Sequence, residues 1–275
     1  MKLFPKISIV IPCFNNDNTI IETIESVMKQ VYSSIEMIIV NDGSTDNSEK
    51  VITSYIESKK ITNITLINQT NAGPSKSRNN GAHIATGTYL MFLDADDLLA
   101  PTYVDSCIAN LERDKNLNIV YTEGEYFGAK KGKWNLPDFS IPNFLEANCI
   151  PISAVIRNEV FKKVGGFDEN LGYTEDWDLW IRIVQEVGGV YKIDQPLFFY
   201  RKRFDKSSIT DNSKNLGQLS TIYIYNKNYS FFAANGYDIE TLLQSKDSNG
   251  KYKKKYYNVW YRKLFYKLRN NKLKK

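Results

Sequence analysis

Two carboxylates, Asp94 and Asp96, follow directly after the apolar run from Tyr89 to Leu93. Such a run is typical of a buried strand, which would deliver both acids to its carboxyl end. Carboxylate oxygens suit the hard cations Mg²⁺ and Mn²⁺, and sites of this kind are usually completed by substrate phosphates. The pattern therefore indicates a nucleoside diphosphate as ligand. Because Asp-x-Asp triplets also occur by chance in solvated loops, the motif needs support from the rest of the chain.

A third acid, Asp42, follows another apolar run, from Ile35 to Val40, and precedes Gly43. An acid at this place can accept hydrogen bonds from a nucleoside, and the glycine lets the backbone come close to it. The same residues also fit an ordinary turn before a helix, with Asp46 as the N-cap. Both interpretations stay open on these residues alone.

Arg78 lies one turn into a helix that is predicted to begin at Pro74, after the turn Asn71-Ala72-Gly73. An arginine there can reach a diphosphate with its planar guanidinium. A surface arginine that is paired with an acid is the alternative.

The segments that carry these residues alternate between strand and helix patterns. The predicted strands are Ile7 to Ile11, Ile35 to Val40, Ile64 to Ile67 and Tyr89 to Leu93, and the predicted helices are Thr19 to Met28, Asn47 to Ser58 and Pro74 to Ala85. This alternation predicts βαβ units and a mostly parallel sheet, whose ligands bind at the carboxyl ends of the strands. We expect Pro12 to stop the first strand. No G-x-G-x-x-G follows that strand, which argues against a dinucleotide fold of the dehydrogenase kind.

Taken in order, these segments resemble the family 2 glycosyltransferases of bacterial surface-polysaccharide type, which are inverting enzymes of the GT-A fold. The matching segments are Pro12-Cys13-Phe14-Asn15, Asp42 to Asp46, Asn71-Ala72-Gly73 with Arg78-Asn79, Phe92 to Asp97, and Glu175-Asp176-Trp177. The resemblance covers about residues 1–205.

The family's architecture implies an α/β, Rossmann-like domain over residues 1–215, with a mostly parallel central sheet flanked by helices. Residues 1–97 would bind the nucleotide sugar and 98–215 the acceptor. A helical C-terminal extension with a basic amphipathic tail would follow at 216–275.

The resemblance further implies a donor site for a UDP-sugar. Pro12, Phe14 and Asp42 would hold the uracil and the ribose, and Arg78 would touch the base or the phosphates. The same motifs place further residues at the donor site, namely Asn15, Gly43, Asn71 and Ala95.

A metal and a general base are implied in the same way. Asp94 would contact the ribose and the metal, and Asp96 would bind the Mn²⁺ or Mg²⁺ that bridges the diphosphate. Asp176 would take the proton of the acceptor hydroxyl. Glu175 would orient the site, because two adjacent acids at a helix start cannot both face one sugar. Asp97 is expected to cap the following turn.

Two positions depart from the family's usual pattern. Phe14 stands where tyrosine is usual, which keeps stacking and loses a hydroxyl. The family often shows Tyr-Arg-x-His after the strand that ends here at Tyr200, whereas this chain reads Tyr200-Arg201-Lys202-Arg203. Arg203 cannot ligate a metal as histidine does, but it can neutralise a phosphate, so we count it among the donor-binding residues.

Composition and cysteine usage predict a cytoplasmic protein that is not integral to a membrane. The 275 residues are 42% apolar and 24% charged, as in soluble globular proteins. The three cysteines are widely spaced, which fits neither a disulfide framework nor a zinc site. No apolar run has the length of a signal peptide or a membrane span.

The C-terminal tail is strongly basic, whereas the rest of the chain is acidic. Residues 251–275 contain eleven Lys or Arg and no acid, which leaves the first 250 residues with 25 basic and 31 acidic side chains. On a helix, the aromatic and leucine residues from Tyr257 to Leu268 would form one apolar stripe between basic residues. This pattern predicts a peripheral helix on the anionic cytoplasmic face of the inner membrane. A helix docked on the core is the alternative, and nucleic acid is not an expected partner.

The expected reaction is inverting transfer of a hexosyl or N-acetylhexosaminyl group from a UDP-sugar to a hydroxyl of a lipid-linked glycan, in the synthesis of O-antigen, capsule or lipopolysaccharide. One alternative is a nucleotidyltransferase, which would need a Gly-rich basic loop where Cys13-Phe14-Asn15-Asn16 stands. The other is an inactive nucleotide-sugar-binding or membrane scaffold protein, against which the intact Asp94, Asp96 and Asp176 argue.

Overall fold

The computed structural model describes residues 4–204 and 214–240, with the side chains of 214–216 left out. The chain forms two compact units, Met1–Asn226 and Lys227–Lys275. The predicted membrane-binding tail at 251–275 lies outside the described residues. Within the described ranges, no helix is both long enough and apolar enough to cross a membrane.

Four parallel strands form one half of the sheet, in the order β3-β2-β1-β4. They are β1 (Ile7–Cys13), β2 (Ile35–Asp42), β3 (Ile64–Gln69) and β4 (Tyr89–Phe92), which confirms the four predicted strands. The expectation that Pro12 stops the first strand is wrong, since β1 continues to Cys13. The ladder from β1 to β4 ends where Val10 faces Phe92, so the missing N–H of Pro12 breaks no bond on that side.

Three helices connect these strands, and all three were predicted to within two residues. They are α1 (Ile20–Met28), α2 (Ser48–Lys59) and α3 (Pro74–Ile84). Pro74 occupies the first turn of α3, where a backbone N–H has no helical partner to lose. Gly81 lets α3 lie close to the sheet, because a Cβ there would overlap the Val10 side chain.

The second half of the sheet is mixed. Its elements are β5 (Leu98–Leu99), α4 (Tyr103–Arg113), β6 (Ile119–Gly128), β7 (Gly132–Trp134), α5 (Ile141–Glu146), β8 (Val155–Arg157), α6 (Asn158–Lys163), α7 (Glu175–Glu186) and β9 (Val190–Lys202). The sheet continues from β4 through β8, β6 and β9 to β5, with β7 beside β6. β8 is antiparallel to both β4 and β6, whereas β9 runs parallel to β6. These antiparallel ladders were not predicted.

The helical pattern expected in the C-terminal extension is confirmed where it is described, by α8 (Lys214–Lys227) and α9 (Tyr229–Ala234). In the first unit, the core packs the alternating side chains Ile7, Ile9 and Ile11 of β1 with Ile20 and Ile24 of α1. Since β1, β2 and β4 are parallel, their carboxyl ends lie at one edge of the sheet, where the predicted site residues follow them.

Candidate active site

Asp42 is buried at the end of β2 and holds the loop that follows β3. Its Oδ1 accepts from Gln69 Nε2 and from the Ala72 N–H, both at 2.8 Å. Its Oδ2 accepts from the Gly73 N–H at 2.9 Å. The carboxylate therefore shapes the start of α3, and a carboxylate oxygen such as Oδ2 can accept more than one hydrogen bond.

The turn after β2 is packed against two other loops. Gly43 has φ +68°, and a Cβ on it would lie 2.7 Å from the backbone nitrogen of Asn71. Asn15, at φ +54°, accepts from the Thr45 N–H at 2.8 Å through Oδ1, and its own N–H donates to Ser44 Oγ at 3.0 Å. The turn that begins at Gly43 thus contacts Asn15 on one side and Asn71 on the other, and these contacts fix the rim at the carboxyl ends of β1 and β2.

Phe14 offers an aromatic surface at this rim. Its side chain is 46% exposed, although it follows directly on the buried Cys13. Pro12 is partly buried in the same strand end. An exposed ring beside a hydrogen-bonding carboxylate is an arrangement that can stack and orient a nucleobase.

Arg78 is buried and joins two acids from distant parts of the chain. Its Nη2 donates to Asp94 Oδ1 at 2.7 Å, and its Nη1 donates to Glu175 Oε1 at 2.5 Å. The guanidinium also lies 5.5 Å from the centre of the Phe167 ring. Burial lowers the pKa of Arg78, but Asp94 and Glu175 outweigh that effect and raise it. The surface location considered for Arg78 is therefore wrong.

Asp176 lies in the first turn of α7, directly after Glu175. Its Oδ2 accepts from Asn148 Nδ2 and its Oδ1 accepts from the Trp177 N–H, both at 2.8 Å. Burial, together with the neighbouring charge of Glu175, raises the pKa of Asp176 to about 7, while Arg78 opposes the rise. A carboxyl group with this pKa is suited to general-base catalysis near neutral pH.

Arg203 follows β9 and covers one oxygen of Asp96. Its Nη2 and Nε lie 2.7 and 2.8 Å from Asp96 Oδ2. Nη2 also donates to Asn16 Oδ1 at 2.5 Å. Arg201 Nε donates to the Asp96 carbonyl at 2.7 Å. Burial raises the pKa of Asp96, and Arg203 counteracts this rise.

Asp97 has a different role from the predicted one. It does not cap the following turn; its buried Oδ1 accepts from the Arg201 N–H at 2.8 Å and so ties the turn between β4 and β5 to the end of β9. Burial, then Asp96 and Asp94, raise the pKa of Asp97 well above its usual range. Ala95 is also buried, and its carbonyl accepts from Thr19 Oγ1 at 3.0 Å.

Asp94 and Asp96 form a two-carboxylate set. The contacts with the two arginines leave Asp94 Oδ2 and Asp96 Oδ1 for a ligand. Over 4–204 and 214–240, no group of three His, Cys, Asp or Glu side chains is arranged to hold a metal ion. Mg²⁺ and Mn²⁺ sites with one or two carboxylates are completed by phosphate oxygens and water. The residues present therefore fit a divalent ion that is bound together with a phosphorylated ligand.

A cavity of about 420 Å³ opens beside Arg203. Its lining combines the basic residues Arg201–Arg203 with the β1–α1 loop residues Asn16, Asn18 and Thr19. The cavity is therefore basic on one side and rich in hydrogen-bonding groups on the other.

The sequence profile of glycosyl transferase family 2 matches residues 8–165, more than half of the chain. The protein belongs to glycosyl transferase family 2. An uncharacterized glycosyltransferase of Haemophilus influenzae is 31% identical over 219 residues, which are 76% of this chain and 72% of that protein. An uncharacterized glycosyltransferase of Rickettsia typhi is 33% identical over 202 residues, which are 68% of this chain and 61% of that protein.

Solved structures show the fold of this family 2 glycosyltransferase. Residues 1–349 of Staphylococcus aureus TarS superpose with a TM-score of 0.66 at 19% identity, covering 91% of this chain and 75% of that one. TarS 1–349 in complex with UDP-GlcNAc gives a TM-score of 0.63 at 20% identity, covering 72% and 59%. The predicted GT-A fold is thereby confirmed.

Three residues of this glycosyltransferase were missed by sequence reasoning. Asn148 contacts Asp176 from a segment with no pattern that marks it, and Asn16 contacts Arg203 from the position directly after the motif that ends at Asn15. Thr174 has φ +57°, which is unusual for a β-branched residue and occurs directly before the acidic pair. Only its place before Glu175 could have drawn attention to it.

Proposed function

We propose that this protein transfers a sugar from a UDP-sugar to a hydroxyl group of a glycan, with inversion at the anomeric carbon. The observation that carries the proposal is the bridge made by Arg78. Its guanidinium contacts Asp94 at 2.7 Å and Glu175 at 2.5 Å, so the donor-side carboxylate and the first acid of α7 share one buried cation. Asp176, with a pKa of about 7, is the next residue after Glu175.

Asp176 is the proposed general base. It would take the proton of the acceptor hydroxyl as the oxygen attacks the anomeric carbon and the diphosphate departs from the opposite side. A positioned base of suitable pKa contributes about 10²–10⁴ to the rate. Glu175 is held by Arg78, so its proposed role is to position the start of α7 and not to transfer the proton.

The donor is proposed to lie along the carboxyl ends of β1, β2 and β4. Phe14 would stack on the uracil, Asp42 would accept from the nucleoside, and Pro12 would support both. Asn15, Gly43 and Asn71 shape the rim, and the UDP-GlcNAc complex of the similarly folded TarS favours a UDP-sugar as donor.

Asp94 and Asp96 are the residues that would hold Mn²⁺ or Mg²⁺. When bound, the ion would neutralise charge on the leaving diphosphate. Asp94 would also contact the ribose, and the buried Ala95 stands between the two acids. Arg78 would act on the phosphates through its charge and through the position of Asp94, because its two terminal nitrogens already donate to Glu175 and Asp94.

The acceptor is proposed to be a lipid-linked glycan of surface-polysaccharide synthesis, reached at the cytoplasmic face of the inner membrane. The eleven basic residues of 251–275 support this part of the proposal, because such a segment is attracted to anionic lipid. An inactive nucleotide-sugar-binding scaffold is the second candidate, and a turnover assay separates the two.

Calorimetric titration of UDP and a panel of UDP-sugars in the presence of Mn²⁺ tests the donor class. We expect one or more UDP-sugars to bind, and Asp96→Ala to lose both binding and transfer. Phe14→Ala should lower the affinity for UDP by about tenfold, since stacking of one base contributes about 1–3 kcal/mol. Tyr191→Ala is the matched control, because Tyr191 is a similarly exposed aromatic residue, 41% accessible, on β9. Absence of binding for every UDP-sugar would disprove the proposal.

A further inference from the structure

Arg203 places a fixed positive charge where the proposed metal would bind. Its Nη2 and Nε both contact Oδ2 of Asp96, at 2.7 and 2.8 Å. The two side chains are 28% and 18% exposed, so water screens this pair less than a surface ion pair. A divalent ion that approached Asp96 would meet the guanidinium within a few ångströms and be repelled.

The same arginine lines the cavity beside the site. Arg201, Lys202 and Arg203 are three consecutive basic residues on its wall. A diphosphate in this cavity would offer Arg203 a doubly charged partner, two of whose oxygens can accept a bidentate pair of hydrogen bonds from the guanidinium. The Asn16 amide, whose Oδ1 accepts from Arg203 Nη2 at 2.5 Å, holds the guanidinium at the boundary between carboxylate and cavity.

The carboxylates of the site are too few to hold a divalent ion without help. Asp94 gives one oxygen to Arg78, and Asp96 gives one to Arg203. A nucleoside diphosphate removes both obstacles to metal binding: its phosphate oxygens can complete the coordination shell of the metal, and they can bind the guanidinium of Arg203 in place of Asp96.

We propose that Arg203 is a resident counter-ion of Asp96 that the donor diphosphate draws away, so that the divalent ion binds at Asp96 only after or together with the nucleotide. The inference rests on the proposed donor site and deepens it by giving an order of binding. Arg203 is thus a positioning residue for the metal and a ligand of the diphosphate.

Titration of Mn²⁺ alone, followed by electron paramagnetic resonance of the free ion, tests the inference without relying on turnover. Wild-type protein should bind Mn²⁺ weakly. Arg203→Gln should lower the dissociation constant for Mn²⁺ at least about tenfold, because removal of a nearby positive charge relieves a repulsion of this order. Added UDP should increase the affinity for Mn²⁺ strongly in the wild type and much less in Arg203→Gln. Arg203→Lys, which keeps the charge, should return Mn²⁺ affinity toward the wild-type value.

Two controls locate the effect. Lys29→Gln removes the same charge from an exposed pair at the end of α1, where Lys29 Nζ lies 3.2 Å from Glu25 Oε2, and should leave the affinity for Mn²⁺ within about twofold of the wild-type value. The gain in Arg203→Gln should disappear when Asp96→Asn is added. Unchanged or weaker Mn²⁺ binding in Arg203→Gln, with wild-type thermal unfolding, would overturn the inference.

The outcome separates the two proposals. If UDP with Mn²⁺ does not bind the wild-type protein, the donor site itself is wrong, and the inference falls with it. If UDP binds and Mn²⁺ alone binds equally well to wild type and Arg203→Gln, the donor site stands and the order of binding is wrong.

Discussion

The amide of Asn148 donates a hydrogen bond to Asp176, with 2.8 Å between Nδ2 and Oδ2. The orientation of this amide is set from its other side, since Asn148 Oδ1 accepts from the Ile150 N–H at 3.0 Å. A donor held toward a carboxylate stabilises the ionised form and so limits the rise in pKa that burial causes. Asn148 is therefore a positioning residue for the proposed base.

Removal of this donor is expected to move the pH dependence of transfer. In the wild type, kcat/KM should rise with pH through about 7, where Asp176 becomes ionised, and level off above it. Asn148→Ala should raise the pKa of Asp176 and shift the rising limb to higher pH. Rates measured over about pH 5.5–9 report the shift. Asn143→Ala on α5, whose amide donates to the Asp138 carbonyl at 2.9 Å, should leave the profile in place.

Asp176→Asn separates binding from transfer. We expect transfer to fall by about 10²–10⁴, while the dissociation constant for UDP changes little, because the residue acts on the acceptor. Comparison of calorimetric titration with single-turnover rates checks both parts. Transfer at the wild-type rate in Asp176→Asn would remove this residue from the role of base.

The same substitution predicts a pH-dependent change in stability. Folding raises the pKa of Asp176 from its ordinary value to about 7, so the native state favours the protonated acid. The wild type should therefore lose stability as pH rises through about 7, whereas Asp176→Asn should not. We expect the melting temperature of the variant, relative to wild type, to be higher at pH about 8 than at pH about 5. Asp105→Asn, at an exposed acid of α4, should show no such difference between the two pH values.

Loss of Arg78 should damage both stability and the site. Arg78→Ala leaves Asp94 and Glu175 without their shared cation, and breaking a buried pair costs about 3–5 kcal/mol. Urea unfolding measures this loss, and the variant should also bind UDP more weakly. The control is Arg182→Ala on α7, where Arg182 Nε lies 2.9 Å from Asp178 Oδ2 and the pair takes no part in the donor site. That variant should lose stability but keep its UDP affinity once folded.

Gly43→Ala should weaken donor binding beyond its cost in stability. The left-handed backbone at φ +68° costs an alanine about 1–2 kcal/mol, and the new Cβ would also press on the Asn71 nitrogen 2.7 Å away. Gly165→Ala has a comparable φ of +81° and no atom within 4 Å of its Cβ. We expect the larger stability loss in Gly43→Ala, and weaker binding of UDP in folded Gly43→Ala alone would assign that effect to the displaced loop, whereas equal UDP affinities of the two variants would contradict the prediction.

Much of the donor half of the molecule could be predicted because its information is local. The apolar content of runs such as Ile35 to Val40 and Tyr89 to Leu93 predicts buried strands, and the helices between the strands predict a parallel arrangement. Parallel strands share a carboxyl edge, so Asp42, Asp94 and Asp96 were expected together before any contact was known. β8 escaped prediction, and so did most of the length of β6 and β9, because their mixed polar and apolar residues lack a clear period.

The partners of these acids were decided by the tertiary structure alone. Arg78 meets Glu175 across 97 positions of the chain, and Arg203 meets Asp96 across 107. Sequence patterns over a few residues report burial and secondary structure, but they carry no signal for which charged side chains meet when distant loops converge at one sheet edge. The residue types and their order therefore determined the family and the acids of the site, whereas packing decided that Arg78 binds two of those acids and that Arg203 covers Asp96.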